Sequence, residues 1–187
     1  MAGRITTADD IKQLGTIMSI WAHPDDESFL AAGIMAAAVK NGQKVVCVTA
    51  TKGEAGSQDE QKWPSATLGD VRAKEMAAAQ KIIGIKHHHW LEFRDGMCEQ
   101  ASEKDAVAKL RKLIEQYRPN SILTFGPDGL TGHTDHATVS IWVTKANQYI
   151  DPISKVYHAV NTPEQYECIK PADEKLNIYF NIDKPPI

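Results

Sequence analysis

The sequence predicts an α/β fold, a Rossmann-like three-layer α/β/α sandwich built on a mostly parallel sheet. Three observations carry that expectation. Short apolar runs rich in β-branched residues alternate with longer segments at helical spacing. The helical segments stop at Gly42, Gly84 and Pro119. Every dense polar cluster follows directly on a strand, so the clusters fall on one edge of the sheet, where ligands bind in such folds.

Taken in order, residues 16–22 form the first strand, short, apolar and partly β-branched. Residues 29–41 are Ala-rich, with Leu30, Ile34, Ala37 and Ala38 on one face, and read as a helix closed by Gly42. Residues 44–51 hold the continuous run Val45, Val46, Cys47 and Val48 expected of a strand buried on both faces. Leu68, Val71, Met76, Ala79, Ile82 and Ile83 recur at helical spacing over residues 68–83. A third strand occupies residues 86–91. Ser102-x-x-Asp105 then signals the start of a helix through Tyr117, with Val107, Leu110 and Ile114 facing inward. Residues 121–125 make the fourth strand and residues 136–149 a fourth helix. The tail from residue 151 is weakly patterned apart from a strand expected at residues 176–182.

A chain of 187 residues suits a single domain, with its core over about residues 16–150. The net charge of −3, from 21 Lys and Arg against 24 Asp and Glu, gives no basic face and argues against nucleic-acid binding. Cys47, Cys98 and Cys168 are odd in number and widely spaced, which fits reduced thiols and a cytoplasmic protein. The amino terminus lacks an apolar secretory core, and no stretch approaches the roughly 18 apolar residues of a membrane span.

The chemistry concentrates in Ala22-His23-Pro24-Asp25-Asp26-Glu27, immediately after the first strand. Adjacent carboxylates repel unless a cation sits among them, so the cluster asks for one. The other dense group is Gly132-His133-Thr134-Asp135-His136. His23 and Asp26, three apart across a proline, can aim at one ion, and a second imidazole from His133 or His136 completes a two-His, one-carboxylate set. Such a set with open positions is typical of catalytic zinc and also of non-haem iron. Asp25 lies between the two proposed ligands, faces another way, and is available as a proton acceptor for water on the metal. His87-His88-His89 cannot share an ion, because successive side chains of a strand point to opposite faces. Arg72 and Glu75 stand i, i+3 on a helix, by default a surface ion pair.

Together with Thr51-Lys-Gly-Glu-Ala-Gly56, Arg72-x-x-Glu75 and Asp95-Gly96, these motifs resemble, in order, those of the PIG-L/LmbE family of zinc-dependent N-acetylglucosaminide deacetylases. The resemblance covers roughly residues 16–149. It implies that His23, Asp26 and His136 bind zinc and that Asp25 is the general base. It further implies that His133 stabilises the oxyanion or protonates the departing amine, and that Arg72 and Asp95 contact sugar hydroxyls. Phe93-Arg94 departs from the family pattern, where a small or Pro-containing turn commonly precedes the aspartate. Family members also usually continue past the position of Ile187.

The expected activity is therefore hydrolysis of an N-acyl group, most simply N-acetyl, from an amino-sugar-containing small molecule, with Asp135 placed to orient His133. A non-haem iron oxygenase using the same triad is the main rival, and a phosphoesterase would want a second metal and more bridging carboxylates. No Gly-x-Gly-x-x-Gly follows the first strand, which disfavours a nucleotide-binding module. The alternating apolar strand at residues 176–182 has no covering helix encoded after it, so another subunit, in a homo-oligomer, or an exposed groove is expected in its place.

Overall fold

The computed structural model describes residues 4–161. Four strands form where the apolar runs place them: β1 Ile17–Trp21, β2 Val45–Thr49, β3 His87–Trp90 and β4 Ser121–Phe125. A fifth, β5 Lys155–Ala159, was not anticipated. All pair in parallel, in the order β3-β2-β1-β4-β5. Every residue of β1, β2 and β4 is buried, whereas the outer strands β3 and β5 are partly exposed. That contrast explains why the central strands read as unbroken apolar runs.

The helices are α1 Ala8–Lys12, α2 Asp26–Leu30, α3 Ala32–Lys40, α4 Ser65–Ile83, α5 Glu103–Tyr117 and α6 Thr134–Asn147. They form two layers, with α3 packed on α1 and α4, and α5 packed on α6. The three consecutive histidines of β3 show both faces of the sheet. His87 and His89 meet the Tyr117 ring of α5, whereas His88 meets Thr49, whose hydroxyl approaches Met76 of α4. The expected alternation holds, and the three do not converge.

Some boundaries differ from the expectation. The helix expected over residues 29–41 begins earlier and is divided into α2 and α3 at Ala31, where φ is −139°. The short α1 is set by a reciprocal cap between Thr7 and Asp10. Helix α4 begins just after Pro64, and α6 starts at Thr134 behind the cap residue His133. Cys47 and Cys98 are free and buried. Cys168 and the strand expected at residues 176–182 lie outside the described residues. Among the described residues, no helix is long and apolar enough to cross a membrane.

The core reaches the carboxyl edge of the sheet through aromatic rings. Trp21, at the end of β1, meets Phe125, at the end of β4, edge to face at 4.9 Å. These two strands are neighbours, but the chain leaves β1 toward β2 and leaves β4 toward β5. Their carboxyl ends therefore frame the switch point of the sheet, where a crevice opens.

Candidate active site

On the β1 side of that crevice, the His23 N–H donates to Asp26 Oδ2 at 2.8 Å, folding the loop back onto itself. Asp25 takes φ 117° and ψ −35°, a conformation an L residue rarely adopts. Strain of this kind costs about 1–3 kcal/mol and tends to mark functional positions. Asp25 occupies the cap position of α2, yet its side chain makes no capping bond. It turns away and meets Arg72 Nη2 at 2.8 Å.

On the β4 side, His136 stacks flat on Phe125 with ring centroids 4.1 Å apart. Its Nδ1 lies 3.1 Å from the Gly129 carbonyl, so that nitrogen donates and Nε2 presents a lone pair to the crevice. Gly129 is required here. Its φ is +73°, and a Cβ would come within 2.8 Å of the Ala137 nitrogen.

The two sides meet at three atoms or groups. His23 Nδ1 lies 3.2 Å from His136 Nε2 and 3.6 Å from Asp26 Oδ2, while His136 Nε2 lies 3.4 Å from Asp26 Oδ1. Tetrahedral ligands at about 2.0–2.1 Å from a zinc ion stand about 3.3–3.4 Å apart. The spacing and the donor types thus fit one metal ion. The nitrogens of His23, His133 and His136 also lie within 4.8 Å of one another.

Electrostatics point the same way. Burial pushes the Asp26 pKa up to about 7, outweighing the charge of His23 and the His23 N–H that favour its ionised form. Burial pushes His136 down to about 3, helped by the neighbouring His23 and His133, which keeps the imidazole neutral and able to ligate. For His23, burial is outweighed by hydrogen bonds to Asp135 and Asp95 and by the charge of Asp26, which raise it to about 10. The pocket demands a positive charge between these groups, which a proton or a metal ion can supply.

Behind the site, His23 Nε2 faces Asp95 Oδ1 at 3.0 Å and Asp135 Oδ2 at 3.2 Å. Asp135 is fully buried and accepts the N–H of Gly96 at 2.8 Å and of Cys98 at 3.0 Å. Burial raises its pKa, but these N–H groups and His23 more than offset that and hold it at about 2. Asp95 also accepts the Ala55 N–H at 2.9 Å, while its own N–H donates to Glu54. Such carboxylate partners fix the tautomer of a metal-binding imidazole.

In front, Arg72 donates to the carbonyls of Gly53 and Pro24 as well as to Asp25, tying the loops after β1 and β2 together. Gly53 has to be glycine, since its φ is +68° and a Cβ would overlap Arg72 Nη1. His133 caps α6, its Nδ1 accepting the Asp135 N–H at 3.1 Å. The neutral ring therefore carries its hydrogen on Nε2. Its plane stacks on His136 and meets His23 edge-on, with centroids 5.0 and 4.6 Å away.

All seven residues singled out in the sequence, His23, Asp25, Asp26, Arg72, Asp95, His133 and His136, line one cleft of about 250 Å3, joined by Gly56. Three details differ from the sequence reading. Arg72 pairs with Asp25 instead of Glu75. Asp95 reaches into the site as a partner of His23, with both oxygens already engaged. The Asp135 carboxylate turns to His23, and only its backbone N–H meets His133. Glu27, buried beside Asp25, carried no role in that reading, although its place in an unbroken run of three acids was a signal.

The family model described as PIG-L: GlcNAc-PI de-N-acetylase matches residues 18–147. The 1D-myo-inositol 2-acetamido-2-deoxy-alpha-D-glucopyranoside deacetylase of Streptomyces scabiei is 33% identical over 148 residues, covering 64% of this chain and 44% of that protein. Its counterpart from Nakamurella multipartita is 35% identical over 150 residues, covering 66% and 51%. The chain spans about half the length of the curated relatives it matches. The N,N'-diacetylchitobiose deacetylase from Pyrococcus horikoshii shares the fold, with a TM-score of 0.65 at 18% identity over 91% of this chain and 82% of that one. Since the family match runs from β1 through α6 and takes in both loops that build the cleft, the chain belongs to the PIG-L family.

Proposed function

We propose that the protein is a zinc-dependent hydrolase that removes an N-acyl group, most simply N-acetyl, from an amino-sugar-containing small molecule. The observation that carries this reading is the convergence of His23 Nδ1, Asp26 and His136 Nε2 at 3.2–3.6 Å, with Asp25 and His133 lining the same cleft. The names of the curated relatives support the choice of substrate class.

His23, Asp26 and His136 would hold the ion, which when bound supplies Lewis acidity and lowers the pKa of a coordinated water to about 7. Asp25 accepts the proton of the attacking water and returns it to the departing nitrogen, so that amide and water become acid and amine. Burial raises the Asp25 pKa despite the opposing charges of Arg72 and His23, moving the carboxylate toward the basicity that role needs. His133, with its hydrogen on Nε2, donates to the carbonyl oxygen as negative charge grows there. Losing one such donor typically costs about 3–4 kcal/mol. Asp95 and Asp135 keep His23 in the ligating tautomer, and Arg72 at the rim is the contact for sugar hydroxyls.

Metal analysis combined with a fluorescent-amine assay on a panel of N-acetylated amino sugars tests the reading. Amine release should stop on chelation and return with zinc. A metal-loaded protein that releases no amine, or one whose turnover needs iron and oxygen, overturns it.

A further inference from the structure

We infer that Glu27 is a positioning residue that holds the backbone of Asp25 in the conformation that aims its carboxylate into the cleft; this rests on the reading of Asp25 as the base. Glu27 is 1% exposed. Its Oε2 accepts the Asp25 N–H at 3.1 Å and its Oε1 accepts the Ser28 hydroxyl at 2.7 Å.

The reason lies in how α2 begins. An aspartate just before a helix ordinarily folds its side chain back onto the free N–H groups of the first turn. Asp25 does not, because at φ 117° its side chain is directed away from the helix toward Arg72, which lines the same cleft. Its own carbonyl accepts from Ser28 and Phe29 and starts the helix. The remaining backbone group of Asp25, its N–H, is captured by Glu27. In an ordinary capping box the acid three positions into the helix reaches back to the cap N–H. Here Glu27, two residues on from Asp25, does so, leaving the cap side chain free for chemistry.

The test compares Glu27→Met, which keeps side-chain volume but removes the acceptor, with Glu27→Gln, which keeps an acceptor oxygen. Metal content, kcat, KM and crystal structures are measured for both in the full chain. Glu27→Met should lower kcat about 10²-fold, the usual effect of misplacing a reacting group by an ångström, with KM and metal content unchanged. Its Asp25 φ should relax to a negative value. Glu27→Gln should stay within about 3-fold of wild type and keep the positive φ, a rescue that follows from retaining the acceptor. A Glu27→Met protein with wild-type kcat, or one still holding Asp25 at positive φ, overturns the inference, as does a Gln variant as impaired as Met. If the wild-type protein releases no amine at all, the proposed function fails. The Asp25 φ in the two variants then still decides whether Glu27 sets that backbone.

Discussion

His23 and His136, 113 positions apart, face each other nitrogen to nitrogen at 3.2 Å. The other nitrogen of each ring is committed elsewhere, in His23 to the Asp95 and Asp135 carboxylates and in His136 to the Gly129 carbonyl. Two neutral rings held this way would set lone pair against lone pair. The arrangement is stable only with a positive charge between them, and the two oxygens of Asp26 complete its surroundings.

Stability should therefore depend on metal. Purified protein should carry about one divalent ion per chain, and His23→Ala, Asp26→Ala or His136→Ala should each lower occupancy. An ion at 100 times its Kd adds about 2.7 kcal/mol to folding, visible as a higher Tm that chelator removes. An unchanged melting curve after chelation would show that a proton alone satisfies the site. Full occupancy in His136→Ala, with loss in His133→Ala, would exchange the roles of those two residues.

Asp25→Asn tests the proposed base separately from the proposed ligands. The change is nearly isosteric, and Asp25 has about half its side chain exposed, facing Arg72. Metal content should hold while kcat falls by about 10²–10⁴, the usual size of a general-base contribution. Loss of metal in step with activity would make Asp25 a ligand.

Asp135→Asn tests the support behind His23. The Gly96 and Cys98 N–H groups bond to different oxygens of Asp135, so the amide keeps an acceptor for only one of them, and it removes the carboxylate beside His23 Nε2. Metal affinity should drop about 10–100-fold, as is usual when such an outer partner is lost. Titration with a competing chelator gives the number, and an unchanged affinity would leave Asp95 as the sole orienting group.

The sheet and the cleft were legible because burial on both faces leaves an unmistakable apolar run in β1, β2 and β4, and because polar clusters at the ends of such runs must share an edge. Strand β5 was not, since Lys155-Val-Tyr-His-Ala159 is an outer strand, half-exposed and without a clean period. The break at Ala31 was hidden by helix propensity, which runs through the Ala-rich stretch with no Gly or Pro to mark it. Asp135 was assigned the wrong neighbour because chain proximity favoured His133. Its actual partners, His23, Gly96 and Cys98, come from two other strand ends and meet it only when the sheet is assembled.

The last prediction concerns pH and lies away from the cleft. His88 is partly buried on β3, its Nε2 3.1 Å from the Thr49 hydroxyl and its ring edge-on to Trp90 at 4.5 Å. Burial, aided by the neighbouring His89, lowers its pKa from 6.5 to about 4. Between those values the unfolded chain binds a proton that the folded chain refuses, so the unfolded state gains as pH falls. This contribution to stability is complete above pH 6.5 and is lost as pH falls through the window toward 4. Other groups titrate there too, those of the cleft among them, but they are common to wild type and to a His88→Gln variant and cancel in the difference between the two. Urea midpoints at pH 7.5 and pH 5 should accordingly fall less in the variant than in wild type. Equal losses would mean that His88 protonates in the folded protein as readily as in the unfolded chain, and that the β3 face toward α4 admits charge.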